Sequence, residues 1–194
     1  MTKVTRESLM TLEAYAKARP ELRQQIIAHK KLRSVHLGEH VNLLFEDEKT
    51  IRYQIQEMLR VEKIFEEEGI QHELASYTPL IPDGSNFKAT MLIEYRDEKA
   101  RKEALAKMHG IERQVWIQVE GAAKVFAIAD EDLERENEEK TSSVHFLRFE
   151  LTPDMAAALN YGVSLSVGVT HSAYSAIVSP LSNDQRNALV ADLA

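Results

Sequence analysis

Regular alternation of apolar and polar side chains over residues 87–95 limits the fold more than any other feature of the sequence. A period of two places the apolar side chains on one face of a β-strand, so the chain must contain a sheet with a buried face. The apolar positions are Phe87, Ala89, Met91, Ile93 and Tyr95. Five further segments carry strand patterns, at 41–45, 114–120, 124–129, 144–151 and 163–169.

Helical patterns separate these strands. The strongest one spans residues 47–68 and is predicted to stop at Gly69. Near the N-terminus, Thr5 can cap a helix that we expect to end at Arg19, because Pro20 disfavours helical geometry in the residue before it. A second helix is then predicted to begin at Pro20. Shorter helices are predicted at 97–108, at 152–160 and after Ser182.

Helices interleaved with mostly antiparallel strands are typical of the α+β class. The chain has 194 residues, of which 44% are hydrophobic, so it can bury one large core and is too short for two ordinary domains. We therefore predict a single α+β domain over residues 1–194. Its sheet is expected to be largely antiparallel or mixed, with about six strands packed by one long helix and several shorter ones.

Charge is distributed unevenly along the chain. The formal net charge is −7, but residues 1–40 hold eight Lys or Arg against four Glu and so carry +4. We predict that residues 1–33 form a basic helical arm packed on acidic helices of the body. The alternative is a docking surface for an acidic partner. The acidic run 130–140 is predicted to be a solvated helix or loop.

Several classes of partner and cofactor are not expected. The overall negative charge argues against nucleic acid and anionic membrane, which leaves another protein or a second copy of the chain. The absence of cysteine excludes a self-ligated iron–sulfur cluster and a thiolate zinc site, and it fits a cytoplasmic location. No apolar run approaches the ~18–20 residues of a membrane span. No glycine-rich nucleotide motif, HExxH or GxSxG occurs.

Three polar residues share the phase of apolar faces. At 100° per residue, Glu62 falls in the middle of the apolar stripe of the 47–68 helix, while His145 and His171 are in phase with the apolar residues of their strands. Antiparallel pairing of segments 144–151 and 163–169 would bring the histidines together. Glu62, His145 and His171 could then hold a divalent metal ion. The alternatives are a structural ion pair of Glu62 with the basic segment and satisfied histidines at the edge of the core.

The turn-rich segment at 79–86 supplies a second candidate site. Asp83, Asn86 and Lys88 form a polar cluster that could bind a small ligand. The alternative is a turn whose polar side chains bond to their own neighbours.

Four blocks of sequence carry a family resemblance. They are LEAYAKARPELRQQIIAHKK at 12–31, FEDEKTIRYQIQEMLRVEKIFEEEGI at 45–70, LIPDGSNFKATMLIEY at 80–95 and IADEDLERENEEKTSSVHFLRFELT at 128–152. Over nearly the whole chain they resemble the bacterial family catalogued as domain of unknown function 3501. The resemblance implies no catalytic residues. Through association with oxidoreductase genes, it implies a redox or peroxide-stress setting.

Two functions from different classes follow from these patterns. The missing catalytic motifs and the uneven charge favour a non-catalytic accessory or interaction protein that serves a redox system. The alternative is a metal-dependent or small-ligand-binding enzyme that uses Glu62 and the two inward histidines, with a divalent metal ion as its cofactor.

Overall fold

The computed structural model describes residues 4–131, 135 and 139–194, so the prediction for the acidic run 130–140 falls largely outside the described part of the chain. The helices are α1 (Leu12–Arg33), α2 (Glu48–Val61), α3 (Glu67–Tyr77), α4 (Glu98–Lys107), α5 (Pro153–Asn160) and α6 (Asn183–Val190). The strands are β1 (Ser34–Leu37), β2 (Val41–Phe45), β3 (Asn86–Ile93), β4 (Val115–Val119), β5 (Val125–Phe126), β6 (Ile128–Ala129), β7 (Val144–Glu150), β8 (Leu165–His171) and β9 (Tyr174–Val178).

The strands form two antiparallel sheets. One has five strands in the order β1-β2-β3-β7-β6, and the other has four in the order β5-β4-β8-β9. Buried side chains of both sheets belong to one hydrophobic cluster, so the two sheets share a core. The predicted α+β class is confirmed. The expected single sheet is divided in two, because the chain passes from one sheet to the other at the buried residue Ala127, between β5 and β6.

A tyrosine joins the edges of the two sheets. The Tyr174 hydroxyl donates to the Leu37 carbonyl oxygen at 2.5 Å and accepts from the His40 backbone N–H at 3.1 Å. Gly38 permits this approach, since its φ is +69° and an added Cβ would lie 2.6 Å from the hydroxyl oxygen. The sequence pattern predicts neither β1 nor β9, the strands that meet here.

A helical layer has its own apolar cluster, which α2, α3 and the N-terminal segment share. Its buried members are Val4, Leu9, Ile51, Ile55, Leu59, Ile70 and Leu74. The repeat of Ile51, Ile55 and Leu59 along α2 is the apolar stripe that the sequence pattern predicts, and it is almost fully buried.

The predicted helix over 47–68 is wrong beyond Val61. Lys63 has a φ of +54°, the Ile64 N–H donates to the Leu59 carbonyl at 2.9 Å, and the Lys63 N–H donates to the Arg60 carbonyl at 3.4 Å. This left-handed cap ends α2 and returns the apolar side chain of Ile64 to the helical cluster. Glu62 is the exposed C-cap residue, so its predicted place on a buried face is also wrong.

Gly69 does not stop a helix but lies within α3. A Cβ at this position would stand 2.6 Å from Ile64 Cγ2, so the close return of the chain after α2 requires glycine. The sequence pattern therefore singles out Gly69 correctly but predicts a helix stop where the structure has a close contact with Ile64.

The predicted break at Pro20 is also wrong. Helix α1 runs unbroken through Pro20, while the predicted N-terminal helix is a single 3₁₀ turn at Arg6–Ser8, and the cap of α1 is Thr11. Pro20 lies on the exposed side of α1, where water can replace the one missing donor. Contacts with α2 hold the helix on both sides of the proline.

The strongest of these contacts is centred on Glu57 of α2. Arg19 donates to both of its carboxylate oxygens at 2.7 and 2.8 Å, and the buried Tyr15 hydroxyl donates at 2.7 Å. These bonds, with the Arg19 contribution largest, lower the pKa of Glu57 to about 2. Arg6 pairs with Glu67, and His29 Nε2 lies 2.6 Å from Asp47 Oδ2, so two side chains of the basic segment contact acidic residues of 46–68.

Replacing Glu57 tests this contact. We expect Glu57→Ala to lower the free energy of unfolding by about 2–3 kcal/mol, because the Tyr15 hydroxyl loses its acceptor in a buried place. Glu67→Ala removes an exposed ion pair and should cost less than ~0.5 kcal/mol. Denaturant melts compare the two variants, and equal small losses would contradict the contact.

The low pKa of Glu57 also predicts an acid dependence. Its folded-state pKa of about 2 lies below the ordinary 4.5, so its stabilisation is complete above about pH 4.5 and is lost as the pH falls towards 2. The difference in unfolding free energy between the wild type and Glu57→Ala should shrink over this range. A constant difference would contradict the assignment.

Candidate functional site

The structure does not bring the predicted metal ligands together. Glu62 is exposed at the end of α2, His145 lies in β7 of the five-stranded sheet, and His171 ends β8 of the four-stranded sheet. The expected pairing of segments 144–151 and 163–169 is wrong, because β7 pairs with β3 and β6 while β8 pairs with β4 and β9. Within residues 4–131, 135 and 139–194, no three His, Asp or Glu side chains are grouped to hold a metal ion.

His145 is fully buried and has partners at both ring nitrogens. Its Nδ1 lies 2.6 Å from Asp130 Oδ2, and its Nε2 lies 3.0 Å from the Ser142 carbonyl oxygen and 3.1 Å from the Thr141 hydroxyl. These contacts are those of a satisfied core histidine.

His171 is partnered in a similar way at the surface of its sheet. Its Nδ1 accepts from the Ala173 N–H at 3.1 Å, and its Nε2 donates to the His109 carbonyl at 3.0 Å. This histidine connects β8 to the segment before β4.

The predicted ligand loop forms a turn that is satisfied by its own side chains. Asp83 accepts from the Ser85 N–H at 3.0 Å and from Asn86 Nδ2 at 2.9 Å, while Asn86 also reaches Glu150. Lys88 donates to the Pro79 carbonyl at 2.7 Å, away from this turn. Asp83 and Asn86 therefore bond to each other and Lys88 bonds to a backbone carbonyl, as in the alternative of a turn satisfied by its own neighbours.

A different group of residues forms the most unusual electrostatic environment of the molecule. It surrounds a cavity of about 410 Å³, called here the charged pocket, between the end of α1, the start of α2 and the end of α6. The polar residues of its lining are His29, Arg33, Asp47, Glu48, Lys49 and Asp192.

Arg33 is the buried centre of this group. Its guanidinium donates to three backbone carbonyls, of Phe45 at 2.9 Å, of Ala188 at 2.7 Å and of Glu46 at 3.1 Å. It also donates to Asp192, and it lies 3.5 Å from Asp47 Oδ2. Every nitrogen of the guanidinium therefore has an acceptor, as a side chain that is 2% exposed requires.

Asp47 connects the pocket to α2. One carboxylate oxygen caps the helix by accepting from the Thr50 N–H at 2.9 Å, and the other lies 2.6 Å from His29 Nε2. Burial alone would raise the pKa of Asp47, but Arg33, the Thr50 N–H and His29 together hold it below its ordinary value. Asp47 is thus a carboxylate, and the hydrogen of this bond lies on His29 Nε2.

The pKa of Asp192 is shifted in the opposite direction to that of Asp47. Burial raises the pKa of Asp192 to about 6, the charge of Asp47 adds to this rise, and Arg33 opposes it. Its Oδ2 accepts from Arg33, and its Oδ1 has no protein hydrogen-bond partner within the described residues. A carboxylate with one open oxygen and a raised pKa in a cavity is a candidate for ligand contact.

An apolar groove adjoins the charged pocket. This groove encloses about 660 Å³ between α1 and α2, and Met10, Tyr15, Leu22, Ile26, Leu32 and Tyr53 are its main apolar lining. His29, Glu48 and Lys49 line both the groove and the charged pocket, so the two cavities share a wall. One molecule could therefore occupy both of them.

A larger cleft of about 900 Å³ lies at the far end of β3, but it has fewer features of a binding site. Arg96 and Arg101 at its rim are exposed. His40 is stacked on Tyr95 with ring centroids 3.8 Å apart, and its Nδ1 lies 3.0 Å from the Glu94 carbonyl oxygen. The ring of His40 is thus held by Tyr95 and by a backbone carbonyl.

Sequence reasoning does not find the charged pocket. His29 and Arg33 are four residues apart near the end of a basic helix, a spacing that places them on one face, and Asp47 follows a strand at a helix start. These signals exist, but they are common. Asp192 carries no signal at all, because only the packing of α6 brings it to Arg33.

Comparison with known proteins identifies the family. Residues 3–193 match the family described as protein of unknown function (DUF3501). The chain belongs to this family. The resemblance inferred from the four sequence blocks is thereby confirmed, while the redox setting is not supported by the description.

A solved structure is closely similar to that of this DUF3501 protein. A crystal structure of a protein of unknown function from Burkholderia pseudomallei K96243 shares 55% sequence identity, with a TM-score of 0.95 and complete coverage of both chains. A search of curated proteins finds no match. In the part of the chain that the structure describes, no helix is long and apolar enough to cross a membrane.

Removal of the Arg33 guanidinium should strongly destabilise the fold. We expect Arg33→Met to lower the free energy of unfolding by about 3–5 kcal/mol, because it leaves buried carboxylates and carbonyl groups without a donor. Arg23→Met, at an exposed position of the same helix, should change it by less than ~0.5 kcal/mol. If chemical denaturation finds the two variants alike, Arg33 is not the centre of the pocket.

The raised pKa of Asp192 predicts that this residue makes the unfolding free energy fall with rising pH, whereas Glu57 makes it rise. The folded state binds more protons than the unfolded state between the ordinary 3.8 and about 6, so stability falls as the pH rises through this window. Asp192→Asn lacks this dependence, and the wild type should lose on the order of 2 kcal/mol relative to it. Parallel pH profiles of the unfolding free energy would contradict the raised pKa.

Proposed function

We propose that this protein binds a small amphipathic organic molecule. Its apolar part would lie in the groove between α1 and α2, and its polar head in the charged pocket. The observation that carries this proposal is the shared wall: His29, Glu48 and Lys49 line both cavities. Small-ligand binding is already an alternative function predicted from the sequence. The site proposed here consists of other residues, which only the tertiary structure brings together.

The dimensions and chemistry of the groove support binding of an apolar chain. Its volume of about 660 Å³ lies within the range of small-molecule sites, which are mostly apolar with a few oriented polar groups. Leu22 is half-buried and Leu32 is 43% exposed, so apolar surface remains accessible to a ligand. Covering this surface would contribute favourable hydrophobic free energy.

His29 supplies orientation at the junction of the two cavities. Asp47 holds its Nε2 at 2.6 Å and thereby fixes the ring. In the neutral tautomer Nδ1 is then an acceptor, and it has no protein partner within the described residues. A head group that carries a hydrogen-bond donor can bind there.

The accessory or interaction function predicted from the sequence is the second candidate. Ile27 is 58% exposed and Leu32 43% exposed on α1, so apolar surface of this helix is open to a protein partner. The redox or peroxide-stress setting and the cytoplasmic location stay predictions. The metal-dependent enzyme has less support, since Glu62, His145 and His171 lie apart.

Filling the groove tests small-molecule binding. Ala28 is exposed and lines the groove, whereas Ala16 is exposed elsewhere on α1. We expect 1-octanol, used below its solubility limit, to give saturable amide chemical-shift changes in segments 22–32 and 48–56 of the wild type. Ala28→Trp should weaken this binding by about tenfold or more, and Ala16→Trp should leave it unchanged.

Two results would contradict small-molecule binding in the groove. If 1-octanol, 1-octylamine and octanoate all fail to produce saturable shifts in these segments, the groove is not a small-molecule site. Equal affinities of Ala28→Trp and the wild type would place any binding elsewhere.

A further inference from the structure

We infer that the head group of the ligand is a cationic amine, bound between Asp192 and His29 in the charged pocket. This inference rests on the proposed function, because it assigns the chemistry of the polar end of the same site. It is drawn from the hydrogen-bonding positions that the protein leaves open and from the balance of charge around them.

The open positions in the pocket are acceptors. Asp192 Oδ1 has no protein partner within the described residues, and neither does His29 Nδ1, whose ring is fixed through Nε2 by Asp47. Both residues line the charged pocket. An ammonium group has donors and no acceptor, so it complements these two positions, whereas a carboxylate has no donor for either.

The main cation of the pocket has four of its five donors in hydrogen bonds, and Asp47 Oδ2 lies 3.5 Å from the nitrogen that carries the fifth. All three guanidinium nitrogens of Arg33 already bond to carbonyl or carboxylate oxygens. Arg52, at the rim of the groove, is paired with Glu48. Lys49 is exposed at the edge and could contact an anion only from solvent. In the lining of the charged pocket, an anionic head would therefore meet a guanidinium that protein acceptors already surround. The buried Nε of Arg52, which has no hydrogen-bond partner in the described part of the chain, belongs to the groove and not to the charged pocket.

The buried charges have a negative sum. Asp47 and Asp192 contribute two carboxyl groups beside the single guanidinium of Arg33. A ligand cation would reduce this excess, and the low local dielectric would strengthen the attraction.

The dipoles of three helix ends act on a charge bound near Asp192. The C-terminal ends of α1 and α6 lie at the pocket and favour a cation, while the N-terminus of α2 opposes it. Asp47 already caps that N-terminus. The charged groups that face Asp192 are Arg33 and His29 of α1 and Asp47, Glu48 and Lys49 at the start of α2, and the nearby Ile81 and Pro82 are uncharged.

Amine binding should depend on pH through Asp192. A bound ammonium favours the ionised carboxylate, so binding releases the proton that Asp192 holds at low pH. The amine keeps its own charge throughout this range. Its affinity is therefore expected to rise between about pH 5 and about pH 7.5, whereas the affinity of a neutral alcohol should change little.

Three ligands with one alkyl chain separate the head group from the groove. We expect calorimetry at about pH 7.5, below the micelle concentrations, to show 1-octylamine binding about tenfold more tightly than 1-octanol and octanoate. Asp192→Asn should remove this preference without abolishing 1-octanol binding. Asp184→Asn, at an exposed position in the first turn of α6, should retain it.

The alternative results distinguish an error in the amine assignment from an error in the proposed function. Octanoate or 1-octanol binding as tightly as 1-octylamine overturns the amine assignment and leaves groove binding in place. An unchanged preference in Asp192→Asn, or a wild-type amine affinity that does not rise with pH, also overturns it. Failure of all three ligands to bind overturns the proposed function itself.

Discussion

Burial of the Arg33 guanidinium is the constraint on which the arrangement of the layers depends. A charged group that is 2% exposed must find acceptors for its donors, and these come from the end of β2, from α6 and from Asp192 near the end of the chain. One side chain at the end of α1 thus connects three elements that lie far apart in sequence. These bonds hold α1, α6 and the end of β2 together.

The candidate site is a consequence of the same burial. Several acceptors converge on Arg33, and two of them are the carboxyl groups of Asp47 and Asp192, each of which has oxygens that Arg33 does not fully occupy. Asp47 uses its oxygens for a helix cap and for His29, whereas Asp192 retains one unpaired oxygen and a raised pKa. The difference between two carboxylates that share one guanidinium creates a place where a ligand can contribute what the protein lacks.

The sequence patterns predict elements better than boundaries. Alternation over 87–95 predicts β3. Its neighbours β2 and β7, and β8 of the other sheet, are found close to their predicted ranges. Helix ends fail where a tertiary contact competes with a local preference. The chain continues helical through Pro20 because α1 packs on α2, and it leaves the helix at Lys63 because Ile64 packs into the helical cluster.

By itself, the sequence determined the α+β class, the family and the buried stripe of α2, since all of these depend on local patterns of residues along the chain. Only the tertiary structure decided that the strands form two sheets, that His145 and His171 lie apart, and that Asp192 meets Arg33 and His29. The physical reason is that burial, strand partners and carboxyl pKa values depend on groups distant in sequence, and periodicity does not specify which of these groups will meet.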